Sequence, residues 1–256
     1  MFFANCSLRC VYCQNRSIAH EGLGMAISIE RLAEIFLELA EDGALNINLV
    51  TPAHYVPQII EALRLARACG LNIPVVYNTS GYEAVPTIKM LAGSVDIFLA
   101  DFKYAPARES DAARRYSAAS DYFEVATSAL DEMVSVAGKP VMGVLDDGWY
   151  SLRSGVLVRH MLLPGRLADS KLVMRYLWER YGRSVLYSVM SQYTPLDGLD
   201  DYPELQQRAA EHDYEELLDY CDEVGMSDYY WQQGDPVGES FIPPFDLTGV
   251  RPRQAR

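Results

Sequence analysis

The sequence predicts an α/β fold, a parallel sheet with helices outside that curls into a (β/α)6 partial barrel. Three observations carry this prediction. Short runs rich in β-branched and aromatic residues recur along the chain, a helical pattern fills the gaps between them, and the alternation repeats about six times, short of the eight units of a full barrel. Apolar runs of this kind read as strands covered on both faces.

Met1 to Ala4 reads as the stub of a first strand, which suggests either that residues upstream of Met1 are missing or that the start is mis-assigned. Ser28 is placed to cap a helix whose Ile29, Leu32, Phe36, Leu39 and Ala40 share one face, with Gly43 just past its end. Asn46 to Thr51 is the next strand. Pro57 suits the first turn of a helix presenting Ile60 and Leu63 and stopping at Gly70. Strands follow at Ile73 to Thr79 and Val95 to Lys103. A helix from Asp121 runs through Phe123, Ala126, Leu130 and Val134. Leu145 to Trp149 breaks the rhythm, and its Asp147-Gly148 pair predicts a hairpin turn in a small β insertion. Then come a strand at Val156 to Leu163, a helix capped by Asp169 that ends near Gly182, a strand at Val185 to Ser191, and a helix from Asp213 to Gly225. Residues 1–227 form the core domain. Residues 228–256 are Pro-, Gly- and aromatic-rich, with Phe241-Ile242-Pro243-Pro244-Phe245, and read as an irregular tail.

The chain has 256 residues, half of them apolar, enough for one buried core. A net charge of −13 repels phosphate backbones and argues against a nucleic-acid partner. Arg251, Arg253 and Arg256 read as a solvated basic end. No apolar run approaches the ~20 residues that span a bilayer, and no secretory leader is visible. A cytoplasmic protein without a membrane partner is expected.

Three of five cysteines lie within eight residues, as Cys6-Ser7-Leu8-Arg9-Cys10-Val11-Tyr12-Cys13. A tight trio in a Cys-poor chain reads as metal ligation in a reducing compartment. Thiolates on one strand-end loop can hold an iron–sulfur cluster and leave one iron without a protein ligand. The spacing alone leaves buried structural cysteines open, and also zinc with His20 or His54 as a distant ligand. Its position after the first strand, at the face where (β/α) enzymes place their chemistry, favours the cluster. Cys69 and Cys221 read as ordinary small core residues.

The motif C-x3-C-x-aromatic-C resembles the radical S-adenosylmethionine (SAM) superfamily. The stretch from Phe2 to Asn15 is similar to the opening of pyruvate formate-lyase activating enzymes. So are Val95 to Lys103 and Val158-Arg159-His160 through Leu163-Pro164-Gly165, while Asn46 to His54 and Tyr77 to Tyr82 look most like a poorly characterised branch of that group. The resemblance covers roughly Met1 to Gly225. It implies a [4Fe–4S] cluster on Cys6, Cys10 and Cys13 with SAM on the open iron. It also implies an oxidoreductase that cleaves SAM to a 5′-deoxyadenosyl radical for hydrogen abstraction. A low-potential electron donor of flavodoxin or ferredoxin type follows, and a glycyl-radical protein as the partner activated. A small-molecule substrate, or a non-catalytic metal-binding role, are the alternatives. The family's acidic-glycine motif is replaced by Thr51-Pro52-Ala53-His54, and the cysteine-rich insertion of many activases is missing, so no auxiliary cluster is expected.

In relatives the aromatic at Tyr12 packs near the SAM adenine, and the residues matching Asp101 and Lys103 contact SAM. Both alternate in phase with Ile97 and Leu99, which places them at the barrel mouth; the plainer reading is a surface ion pair. Asn78 and Ser80 are candidates for the ribose or methionyl groups, against turn chemistry beside Gly81. Arg159 is embedded in an apolar strand and needs a carboxylate, from SAM or from the protein. His160 points to the other face and reads as structural. Gln192 and Tyr193 align with an adenine contact, Asn15 adjoins the cluster loop, and Thr51 and His54 face SAM or substrate, or are plain loop. No catalytic acid or base stands out.

Overall fold

The computed structural model describes residues 1–145, 148–232 and 245–251. One sheet organises the chain. Its strands are β1 (Ile47–Val50), β2 (Val75–Thr79), β3 (Ile97–Asp101), β4 (Val141–Val144), β5 (Tyr150–Met161), β6 (Leu186–Met190) and β7 (Tyr229–Tyr230). The path runs β1-β2-β3-β5-β6-β7, all parallel, and β4 pairs antiparallel with β5 off that path. The amino-terminal stub lies parallel to β1, where Phe3 N–H donates to the Val50 carbonyl at 3.0 Å. Neighbours in sequence are therefore neighbours in the sheet, the order that consecutive β/α units of a partial barrel require.

The helices are α1 (Arg16–Ala19), α2 (Ile29–Glu41), α3 (Val56–Ala68), α4 (Val85–Met90), α5 (Ala112–Ser117), α6 (Tyr122–Ala137), α7 (Leu167–Tyr181) and α8 (Glu211–Glu223). Ser28 caps α2 by accepting from Arg31 N–H at 3.1 Å. The apolar stripe of α2 buries Leu32, Ile35 and Phe36. Phe36 is fully buried, so cutting it to Ala costs about 3–5 kcal/mol.

The two faces of the sheet are both covered but to different degrees, the second being buried at Val76 and Ile97 and half-buried at the positions named below. Ile47, Leu49, Val75, Tyr77, Phe98, Ala100, Val156, Val158, Tyr187 and Val189 are buried and form part of the core. On the other face Asn48, Asn78, Leu99, Asp101, Leu157, Arg159, Met161 and Ser188 are only half-buried. That second face carries the polar groups discussed below.

Several local expectations shift. Asp169 does not cap α7: the helix begins at Leu167 with Arg166 before it, and Asp169 lies in the first turn. Asp213 likewise sits inside the first turn of α8. Asp121 precedes α6 without capping it and accepts from the Tyr82 hydroxyl instead. Cys69 is exposed at the end of α3, not in the core, whereas Cys221 is fully buried on α8. The expected insertion is present as β4 and the start of β5, but Asp146 and Asp147 of its turn lie outside the described residues. So do residues 233–244 of the expected tail. The tail's first part adds β7 to the sheet, and its later part returns to α2. There Arg31 is paired with Glu38 at 2.6 Å and donates to the carbonyls of Gly249, Val250 and Arg251. No helix is long and apolar enough to cross a membrane among the described residues.

Candidate active site

The cysteine loop follows the amino-terminal stub, and α5 docks it. Arg9 and Val11 N–H groups donate to the Ser117 and Tyr116 carbonyls at 3.3 and 2.8 Å, at the carboxyl end of α5. Leu8 is buried beneath the loop. Asn5 turns the chain into it with a positive φ of 71°.

Two of the three sulfurs receive a hydrogen bond: Leu8 N–H donates to Cys6 Sγ at 3.4 Å, and Ser117 Oγ donates to Cys10 Sγ at 2.9 Å. Burial pushes all three thiols up, Cys10 to about 11, while Lys103 pulls each of them down. A single cation thus acts on all three sulfurs. Among the described residues no group of three or more His, Cys, Asp or Glu side chains is placed to hold a single metal ion. Three thiols on one short loop, two of them hydrogen-bonded, are a donor set that suits an iron–sulfur cluster.

Asp101, Lys103, Arg159 and Asn78 form one network on the half-buried face. Asp101 and Arg159 are register partners on β3 and β5, and Asn78 is one strand away on β2. Arg159 Nε donates to Asp101 Oδ1 at 2.9 Å and its Nη2 to Asn78 Oδ1 at 2.8 Å. Lys103 Nζ donates to Asp101 Oδ2 at 2.7 Å. Burial alone would raise Asp101, but Arg159 and Lys103 outweigh it and hold the carboxyl below its usual range. Burial would likewise lower Lys103, but Asp101 outweighs it and keeps the ammonium charged. The carboxylate that Arg159 needs therefore comes from the protein.

The loop after β2 is pressed onto the end of β3. A Cβ on Gly81 would stand 2.2 Å from the Asp101 carbonyl, and Gly81 has φ +79°, so only glycine fits. Tyr122 ties the same two segments: its hydroxyl lies 2.8 Å from the Ser80 carbonyl and accepts from Lys103 N–H at 3.0 Å. Thr51 follows β1 with φ 57°, a costly conformation for a β-branched residue, and its N–H donates to the Asn78 carbonyl.

Tyr12 is buried and packs edge-on against Tyr193 with centroids 6.1 Å apart. The Tyr193 hydroxyl donates to the Leu205 carbonyl at 2.6 Å. Gln192, just before it, is half-buried. Asn15 starts α1, and its carbonyl accepts from Ile18 and Ala19. His54 is exposed. His160 is buried, with Nδ1 2.7 Å from the Phe102 carbonyl and Nε2 2.9 Å from Ser170 Oγ, the structural role expected of it.

The structure thus brings the cysteine loop, Lys103, Asp101, Arg159 and Asn78 to one end of the sheet. Three residues that the sequence reading missed join them. Tyr104 and Ser117 bond to each other and link Tyr12 to Cys10, and Glu83 is buried beside Thr79. Tyr104 follows directly on the Asp101-Phe102-Lys103 run, which is the one local signal that could have flagged it.

Comparison with known proteins bears on the family and the fold. A model of the radical SAM superfamily matches residues 1–144. An uncharacterized protein of Methanocaldococcus jannaschii is 24% identical over 238 residues, which is 90% of this chain and 63% of that protein. The chain thus spans less than two thirds of that curated relative. Among solved structures, Streptococcus suis SuiB bound to precursor peptide SuiA superposes with a TM-score of 0.60 at 11% identity, over 91% of this chain and 48% of that one. Native anSMEcpe with bound AdoMet superposes at 0.56 and 12% identity, over 86% of this chain and 57% of that one. At these identities the likeness shows a shared fold.

Proposed function

This chain belongs to the radical SAM superfamily, and from that premise we propose that it is an oxidoreductase that cleaves SAM reductively to start hydrogen abstraction. When bound, the family's [4Fe–4S] cluster and SAM supply one-electron cleavage of the C5′–S bond, giving methionine and a 5′-deoxyadenosyl radical that takes a hydrogen atom. Cys6, Cys10 and Cys13 would hold the cluster.

The chain's own residues do the rest. Lys103 has three donors and gives one to Asp101, which leaves two N–H groups for an incoming carboxylate. Asp101 pairs with both neighbouring cations and fixes their direction, leaving the trio with a net positive charge. Arg159 braces Asp101 from β5 and is itself held by Asn78 on β2. Tyr12 and Tyr193, in edge-on contact, are candidates to flank a flat base, and Gln192, Asn15, Thr51 and Ser80 remain candidate SAM contacts. The observation that carries the reading is that Lys103 pairs with Asp101 at 2.7 Å while the next residue, Tyr104, is hydrogen-bonded through Ser117 to Cys10, which ties the strand-end charges to the cysteine loop.

The test is anaerobic turnover. Reconstituted protein with reductant and SAM should release 5′-deoxyadenosine, and Cys10→Ala should lose both the cluster spectrum and the product. Stoichiometric zinc without a cluster would defeat the reading.

For the substrate, the likeness of the Phe2 to Asn15 stretch to activating enzymes supports a glycyl-radical protein, with a flavodoxin or ferredoxin as electron donor. Deuterium passing from a labelled partner glycine into 5′-deoxyadenosine would establish it. Transfer from a small molecule instead would overturn it.

A further inference from the structure

Cys6 takes a hydrogen bond from the backbone two residues on, at Leu8. That donor comes with the loop and no side-chain change removes it. Cys10 differs. Its donor is the Ser117 side chain, 107 residues away on α5, at 2.9 Å. Ser117 does not stand alone. Its Oγ is bonded to the Tyr104 hydroxyl, which is bonded to the Tyr12 hydroxyl at 2.6 Å.

Proton counting fixes the direction of this chain. A hydroxyl carries one proton. Ser117 gives its proton to the sulfur, so Tyr104 must donate to Ser117. Tyr104 has then used its own, so Tyr12 must donate to Tyr104. Three O–H dipoles point in sequence at Cys10. Tyr12, Tyr104 and Ser117 are 7%, 1% and 1% exposed, so water does not compete for these groups. Aligned hydrogen bonds in such a setting polarise one another.

A thiolate ligand gains negative charge when its cluster is reduced, and a donor aimed at it favours the reduced state. Hydrogen bonds to the sulfurs are among the factors that set a cluster's potential. Resting on the cluster reading above, we propose that Ser117 is a positioning residue that raises the reduction potential of the cluster through Cys10, with Tyr104 and Tyr12 orienting and polarising its hydroxyl. The relay also links the sulfur to the ring at Tyr12 that lies against Tyr193, so the same hydroxyls join the metal end of the site to its aromatic rim.

The experiment is an anaerobic redox titration followed by EPR on the reconstituted full chain, comparing wild type, Ser117→Ala, Ser117→Thr and Tyr104→Phe. Ser117→Ala should move the midpoint to lower potential by on the order of tenfold in the reduction equilibrium, about 59 mV for one electron. Ser117→Thr keeps the hydroxyl and should restore the wild-type midpoint. Tyr104→Phe keeps Ser117 and should give a smaller shift in the same direction. A loaded Ser117→Ala protein with the wild-type midpoint overturns the proposal while leaving the cluster reading intact. If Ser117→Ala does not load, Tyr104→Phe decides, and a wild-type midpoint there overturns it. A wild-type chain that assembles no cluster sinks both.

Discussion

At the scale of single residues, Glu83 is a carboxyl group buried without a cation partner among the described residues. It is 6% exposed and accepts from Thr79 Oγ1 at 2.5 Å. The Tyr77 hydroxyl lies near it but makes no hydrogen bond of good geometry. Burial pushes the carboxyl up to about 7, against the pull of the two hydroxyls. A group raised on folding stabilises the fold fully below its unfolded value of 4.5, and that contribution is lost as pH rises through 7. The stake is about 3 kcal/mol. Denaturant unfolding of wild type and Glu83→Gln from pH 4.5 to 8 should show the variant gaining on wild type as pH rises. Parallel profiles would contradict this.

Residues of this scale were legible where a strand's phase or a tight motif exposes them. Cys6, Cys10 and Cys13 are contiguous, and Asp101 and Lys103 keep the strand's alternation to its end. Arg159 was legible as a charge in need of a carboxylate, and Asp101 supplies it. Asn78 was read toward ligand groups, yet its side-chain carbonyl accepts from Arg159. Ser117 and Glu83 were not legible, because their roles arise from partners that only the tertiary fold brings near.

At the scale of elements, α5 shows why a short helix can matter. It ends at Ser117, and Ala118 follows in the left-handed region at φ 54°. That turn aims the Tyr116 and Ser117 carbonyls at the cysteine loop. An L-residue pays about 1–2 kcal/mol for this conformation, and glycine does not. Ala118→Gly should therefore stabilise the chain by roughly 1 kcal/mol, after glycine's own entropy cost. Chemical denaturation checks it, and a loss of stability would show that the Ala118 methyl makes a needed contact. The long helices and the central strands were readable because an apolar period needs several turns to appear. Helices α1, α4 and α5 have four to six residues and leave no period to read. The two residues of β7 join the sheet through β6, a pairing no local pattern announces.

At the scale of the whole molecule, the sheet presents one largely apolar face to its helices and sets the Asn78, Asp101 and Arg159 network among apolar residues on the other, with the cysteine loop docked across its end. Loading this loop has a pH cost. Burial raises all three thiols, Cys10 to about 11, so iron must displace their protons. Cluster occupancy at limiting iron should rise from pH 7 to pH 9, read as iron per chain, and a flat or falling profile would show that the thiols are already ionised. The fold class was legible from alternation alone. The return of the chain's end onto Arg31 was not, since it rests on backbone carbonyls that any sequence carries.

The most direct measurement is a SAM titration of the reduced, reconstituted protein followed by EPR. If three thiolates hold the cluster and leave an iron open beside Lys103 and Asp101, SAM should change the shape and g-values of the cluster signal in a saturable way. A fully loaded cluster whose signal ignores SAM would contradict the open-iron site.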